Sequence, residues 1–242
     1  MRVYSGSDIG LMRDSNQDYC MTGEFSDHAV WAVVCDGMGG ANGGCTASSV
    51  ATETIAGILT EQYQDNLPPE DLRELMEDAV GQANLRVFDM SLKDPSLYGM
   101  GTTVVCAVAE NGRYHFVHAG DSRAYLWHEG RMTRVTTDHS VVQELVTAGK
   151  ITEDEARVHP NRNIITRALG VEPVLVTDYN TGALEEGDRL MICTDGLSGY
   201  FSDEELCGMM GEKDGDALVT ALIEAAKQAG GSDNITVAVI AD

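Results

Sequence analysis

The sequence predicts one domain in which helices pack on a β-rich core. Three observations predict it. Short apolar runs rich in β-branched residues recur along the chain, among them residues 29–35, 102–109 and 189–194. Two longer stretches, 44–64 and 68–87, place apolar residues every three or four positions, the spacing of helices with one buried face. With 242 residues, 43% of them hydrophobic, the chain can fill one sizeable core and has a length common in two-layered β folds.

Residues 2–8 read as a first strand. The polar stretch from Ser7 to Asp18 follows, with a single arginine, Arg13, among acids. A guanidinium there can clamp a phosphate or carboxylate bidentately, or pair with Asp14 or Asp18. The apolar run 29–35 stops on Asp36-Gly37-Met38-Gly39-Gly40. It reads as a buried strand that holds Asp36 at a rigid end. The glycines let backbone approach closely, and Gly37 can offer its carbonyl, so the turn suits a hard cation bound by oxygen. The helix over 44–64 buries Ala47, Val50, Ala51, Ile55, Ile58 and Leu59. Pro68-Pro69 opens a second helix with the stripe Leu72, Leu75, Met76, Ala79, Val80, Ala83 and Val87.

A β meander comes next. Residues 102–109 form one strand, Glu110-Asn111-Gly112 is a hairpin turn, and 113–118 return to Gly120-Asp121-Ser122. Residues 123–128 go out again and Glu129-Gly130 turns into 132–135. His115, His118 and His128 lie in or at the ends of these strands and read as structural. Thr137 or Asp138 is placed to cap a helix that runs through Val141, Val142, Leu145 and Val146 to Gly149. Residues 150–163 are polar, with the makeup of an exposed flap. A strand is expected over 174–179, and another over 189–194, ending on Asp195-Gly196. Ser202 and Glu205 form a capping box, residues 216–229 a last helix, and 235–241 a last strand headed by Asp233-Asn234.

Composition narrows the chemistry. The net charge is -23, so binding to nucleic acid or an anionic membrane is not expected, since both need a basic face. An anionic substrate must therefore meet local positive charge. The six cysteines form no C-x-x-C pair, which fits a reduced, cytoplasmic setting better than a disulfide framework. No stretch has the apolar length of a membrane-spanning helix.

Four carboxylates stand out: Asp36, Asp121, Asp195 and Asp233. Each sits at a strand end beside a glycine-bearing turn. Together they suggest that strand ends from two sheets meet at one acidic centre. Such carboxylates repel one another and take up protons unless divalent cations intervene. All donors are oxygen, and no cysteine or histidine is spaced for zinc, so magnesium or manganese is expected. Two such ions can share a water and present hydroxide in line with a phosphoryl group, with Arg13 on the remaining phosphate oxygens.

The motifs also carry a family resemblance. Ser7-Asp8-x-Gly10-x-x-Arg13-x-x-Asn16-Gln17-Asp18, Asp36-Gly37-Met38-Gly39-Gly40, Gly101-Thr102-Thr103, Gly120-Asp121-Ser122-Arg123, Thr137-Asp138-His139-Ser140, Ile165-Thr166-Arg167-Ala168-Leu169-Gly170, Asp195-Gly196-Leu197 and Ser232-Asp233-Asn234 follow one another in this order. The set, spanning nearly the whole chain, resembles the metal-dependent PPM (type 2C) serine/threonine protein phosphatases, especially their compact bacterial branch. The resemblance implies an α+β fold, a four-layer α-β-β-α sandwich of two antiparallel sheets flanked by helices, with residues 1–242 as one domain. It implies hydrolysis of phosphoserine and phosphothreonine by a metal-bridging hydroxide, with two manganese or magnesium ions per chain and a weaker third. Asp36 would bridge the two metals, with the Gly37 carbonyl on one and Asp195 and Asp233 on the other; Asp121 would serve the third. Asp18 would orient water, Arg13 would bind phosphate, Asn234 would support the site, and His159, in a flap over 146–165, would touch substrate. The partners implied are phosphorylated proteins and a serine/threonine kinase whose sites the enzyme reverses; a monomer is expected.

Three positions depart from the pattern. Ala41 stands where bacterial members often carry histidine and Cys45 where they often carry glutamate, so altered local packing is expected there. Met38 stands where some members place a histidine as general acid, which leaves the source of the leaving-group proton open. Two rivals share these motifs: a regulatory module without turnover, and a phosphatase of small phosphoesters or of one dedicated regulator.

Overall fold

In the computed structural model, residues 1–241 are described, apart from the side chains of residues 41 and 42. Eleven strands among these residues form two antiparallel sheets. The first sheet has the order β1 (Arg2–Asp8), β11 (Ile235–Ala241), β10 (Arg189–Cys193), β7 (Arg123–His128) and β8 (Arg131–Arg134). The second has the order β2 (Asp18–Ser26), β3 (Ala29–Met38), β5 (Val104–Glu110), β6 (Arg113–Ala119) and β9 (Asp178–Ala183), with the two-residue β4 (Gly101–Thr102) on the end of β3.

The alternation of side chains along β3 builds the layers. Val30, Ala32 and Val34 point between the sheets, where they meet Val105, Ala107, Phe116, Ala124, Leu190, Ile192, Ala238 and Ile240. Trp31, Val33 and Cys35 point the other way, onto α1 (Gly40–Gln62) and α2 (Pro69–Lys93). The outer face of the first sheet, through Tyr125, Met191, Val237 and Val239, is covered by α6 (Asp203–Met210) and α7 (Gly215–Ala229). The strands β3, β5, β10 and β11 are therefore buried on both faces, which is why they read as unbroken apolar runs. The result is the expected four-layer α-β-β-α sandwich.

Three elements depart from the expectation. β2 has no counterpart in the sequence pattern, because its residues are mostly half-buried and mix polar with apolar types. The ninth strand is Asp178–Ala183, pairing with β6, and not 174–179. Val174 and Val176 supply β-branched character, yet they are 78% and 62% exposed and lie outside any strand. The cap of α3 (Val141–Thr147) is Ser140, whose hydroxyl accepts from the Gln143 N–H. Asp138 is unavailable for that role, since both its oxygens are held by Arg123. The short α4 (Glu153–Arg157) lies within the flap and carries a complete capping box from Thr152 and Glu155.

Candidate active site

The strand ends carrying Asp36, Asp121, Asp195 and Asp233 open into one cavity of about 570 Å³, which Arg13, Gly37 and Asn234 also line. Asp18 lies behind it, directly opposite Asp36 on the neighbouring strand. Eight of the residues singled out from the sequence, Asp18 and Gly37 among them, thus come together at one end of the sandwich.

Each is held by the local chain. The Asp36 N–H donates to Thr103 Oγ1 at 2.9 Å, and the Asp36 carbonyl accepts from the Thr103 N–H and the Thr102 hydroxyl, both at 2.8 Å. Thr103 Oγ1 lies 2.7 Å from Ser122 Oγ, so one threonine links the Asp36 turn to the residue after Asp121. Gly37 is required by packing: a Cβ there would sit 2.2 Å from the Gly44 carbonyl oxygen. Gly196 is tighter still, with a virtual Cβ 1.8 Å from the Asn234 carbonyl oxygen. α5 (Asp195–Ser198) begins on Asp195 itself, at the end of β10.

Asn234 ties the loop after β1 to this end of the sheet. Its amide donates to the carbonyls of Ile9 and Ser15 at 2.9 and 3.0 Å, and its Oδ1 accepts from the Gln17 N–H at 2.8 Å. That loop brings Arg13 over the cavity, where Nη2 donates to Asp233 Oδ2 at 2.7 Å. The partner of Arg13 is thus Asp233, 220 residues away in sequence, and neither Asp14 nor Asp18. Half of the Arg13 side chain stays exposed.

The electrostatics show what the centre lacks. Burial raises Asp36 well above the usual carboxylate range, and the charges of Asp18, Asp195, Asp121 and Asp233 raise it further. Burial also pushes Asp18 to about 7, against hydrogen bonds from Thr236 and Thr194. Asp121 is pushed up to about 7 by burial, then by Asp195 and Asp138, and Asp195 to about 6 by burial, then by Asp233. Asp18 Oδ2 accepts from the Thr194 hydroxyl at 2.9 Å. Asp18 Oδ1 and Asp195 Oδ1 are buried with no hydrogen-bond partner. Orphaned carboxylate oxygens in a cluster that favours protonation fit a site for divalent cations with oxygen donors.

The flap stands beside this centre. A second pocket, of about 240 Å³, runs from Asp121, Asp195 and Asp233 to Arg157, Arg162 and Asn163 of the flap. Asn163 lines both pockets. His159 lines neither; it is half-buried, and its Nδ1 accepts from the Asn161 N–H at 3.1 Å. Among the described residues no histidine lines the larger cavity, where Met38 is present. The Cys45 thiol donates to the Asn16 carbonyl at 3.3 Å, at the base of the Arg13 loop. The side chain of Ala41 lies outside the described residues. Sequence reasoning assigned no role to Thr103, Thr194 or Asn163. The first belongs to Gly101-Thr102-Thr103, and the second stands directly before Asp195, so position next to a strand-end aspartate was the available signal.

Comparison with known proteins agrees with this geometry. Residues 13–236 match the family model for protein phosphatase 2C. The chain is 37% identical to the serine/threonine protein phosphatase PstP of Mycobacterium tuberculosis, over all of this chain but 45% of that protein's length. The solved structure of the S. agalactiae serine/threonine phosphatase superposes with a TM-score of 0.92 at 32% identity, covering 100% of this chain and 99% of that one. The catalytic domain of PstP, solved in complex with two manganese ions, superposes at 0.86 with 34% identity, covering 100% of this chain and 98% of that one. From the ordered motifs, the two-sheet sandwich and these likenesses, the chain belongs to the protein phosphatase 2C family of serine/threonine protein phosphatases.

Proposed function

We propose that the acidic cavity is the active site at which this chain hydrolyses phosphoserine and phosphothreonine esters on proteins. One observation carries the reading: four strand-end aspartates and one guanidinium line a single cavity, with carboxylate oxygens of Asp18 and Asp195 buried and unpartnered. In this reading Asp36, the Gly37 carbonyl, Asp195 and Asp233 hold two manganese or magnesium ions, and Asp121 serves a weaker third. When bound, such ions supply an acidified water and offset charge on the phosphoryl oxygens.

The chain's own residues do the rest. Asp18 keeps one oxygen fixed on Thr194 and the other free to accept a hydrogen bond from water in the centre. Arg13 has five N–H donors and spends one on Asp233, so several remain for phosphate oxygens. Asn234 holds the Arg13 loop at its distance from the aspartates. The flap, 146–165, contacts the protein around the phosphorylated residue, with His159 among its contacts. The substrates are phosphoproteins, including a serine/threonine kinase and its targets, met in the cytoplasm by a monomer whose residues 1–242 act as one catalytic unit.

The test is hydrolysis of a phosphothreonine peptide by the wild type and Asp36→Asn, with manganese and with chelator. Turnover is expected only in the wild type with metal. Turnover that survives both chelation and the substitution overturns the assignment.

A further inference from the structure

Behind the cavity lies a polar cluster that the reaction does not use. His118 on β6, His139 and Asp178 on β9 present ligand atoms within 4.8 Å of one another. Such a trio could suit a transition metal. The cation's place is already filled, however. Arg167 Nη1 lies 2.7 Å from Asp178 Oδ1 and 3.1 Å from His139 Nε2.

The contacts of His139 lead toward the active site instead. Its backbone N–H donates to the Gly120 carbonyl at 2.8 Å, and the Gly120 N–H donates to His139 Nδ1 at 3.2 Å. One buried residue therefore satisfies both backbone groups of the glycine that precedes Asp121. Gly120 has φ +110, outside the range most side chains favour, so the turn depends on such support. To accept from Gly120, Nδ1 must carry no proton, which places the ring hydrogen on Nε2. Asp178 Oδ2 accepts it at 3.2 Å, and the ring stacks on His118 at 4.7 Å between centroids.

His139 also holds the flap. Its carbonyl accepts from the Thr166 N–H at 2.8 Å, and the adjacent Ser140 bridges to Ile165, where the flap rejoins the core. We infer that His139 is a positioning residue that fixes the Gly120–Asp121 turn for cation binding and joins that turn to the returning end of the flap. The inference rests on the metal-holding role proposed for Asp121. Asp178 forms its outer arm, since by accepting the Nε2 hydrogen it sets the tautomer that faces Gly120, while Arg167 holds the other Asp178 oxygen.

The test separates the two arms. In His139→Asn the amide oxygen can stand where Nδ1 stands and keep the bond from Gly120. In His139→Gln the longer amide reaches toward Asp178 and leaves the Gly120 N–H without its acceptor. Manganese is titrated into wild type and both variants of the full chain, followed by calorimetry, by thermal melting and by turnover of a phosphothreonine peptide. His139→Gln is expected to weaken the weakest manganese-binding step by about tenfold, the scale seen when a partner behind a metal ligand is lost, with kcat at saturating metal within about threefold. His139→Asn is expected to recover most of that affinity. Unchanged manganese affinity in His139→Gln, or an equal loss in both variants, overturns the inference, as does a lowered Tm with no change in metal response. Should both His139 variants fail to fold, Asp178→Ala, at a half-exposed site, is expected to weaken the same step to a smaller degree, and no change overturns the inference. A wild type that binds no manganese overturns the role of Asp121 before any variant is compared.

Discussion

Asp18 and Asp36 face each other across the β2–β3 ladder, two carboxylates in direct antiparallel register at the end of a sheet with apolar clusters on both its faces. Like charges directly opposite destabilise a strand pair. Burial and this neighbour hold Asp36 well above the ordinary carboxylate range. The fold thus carries a local cost at the place where the chemistry is proposed, a pattern common in active sites.

That cost gives the first prediction. Without metal, Asp36→Asn removes the cost of burying a carboxylate among like charges and should raise stability by about 2 kcal/mol, a rise of roughly 4–8 °C in Tm for a chain of this size. With manganese the order should reverse, because only the wild type keeps the full ligand set. Thermal melts with chelator and with manganese check both halves. A variant that melts lower than the wild type in chelator contradicts the repulsion argument.

Arg13→Ala should lower kcat/KM on a phosphothreonine peptide by about 10- to 100-fold, the loss expected when one or two charge-assisted hydrogen bonds to phosphate vanish. The Arg13–Asp233 pair is exposed on one side, so Tm should move little. Arg13→Lys should recover only part of the loss, since an ammonium lacks the planar fork. Steady-state kinetics on the three proteins decide it; unchanged kcat/KM in Arg13→Ala removes Arg13 from the site.

Two glycines allow a packing test. Gly196→Ala forces a Cβ against the Asn234 carbonyl and should cost about 2–3 kcal/mol, with a weaker response to manganese as Asp195 shifts away from Asp233. Gly57→Ala, in the exposed face of α1 with nothing within 4 Å, should stabilise by about 0.5–1 kcal/mol. Denaturant unfolding measures both, and equal effects at the two positions would refute the account of Gly196.

His115 supplies a pH dependence far from the acidic centre. It is buried on β6, lies 2.7 Å from the Tyr179 hydroxyl, and burial lowers its pKa from 6.5 to about 4. The unfolded chain therefore binds more protons between about pH 6.5 and 4. Stability contributed by neutral His115 is intact above pH 6.5 and is lost as pH falls toward 4, by about 3 kcal/mol in all. Urea titrations across this range should show a shallower pH slope in His115→Phe than in the wild type.

Much of the candidate site was legible in the sequence because its parts sit where strand ends must be. An apolar run that stops on Asp-Gly announces both the strand and the carboxylate at its tip, so Asp36, Asp121, Asp195 and Asp233 could be picked out without knowing what lies beside them. The helical stripes from Ala47 to Val87 and the capping box of Ser202 and Glu205 were equally plain, since periodicity and capping are local. Only the tertiary structure decided what is set by contact between distant segments. It paired Asp18 with Asp36 through a strand that local pattern did not reveal, and gave Arg13 to Asp233. It moved the helix cap to Ser140 by engaging Asp138 with Arg123, and set His139 against Gly120. A sequence fixes which side chains stand at strand ends and helix faces, because those follow from backbone periodicity. Which of them meet depends on sheet register and crossing loops, and those are settled only when the whole core closes.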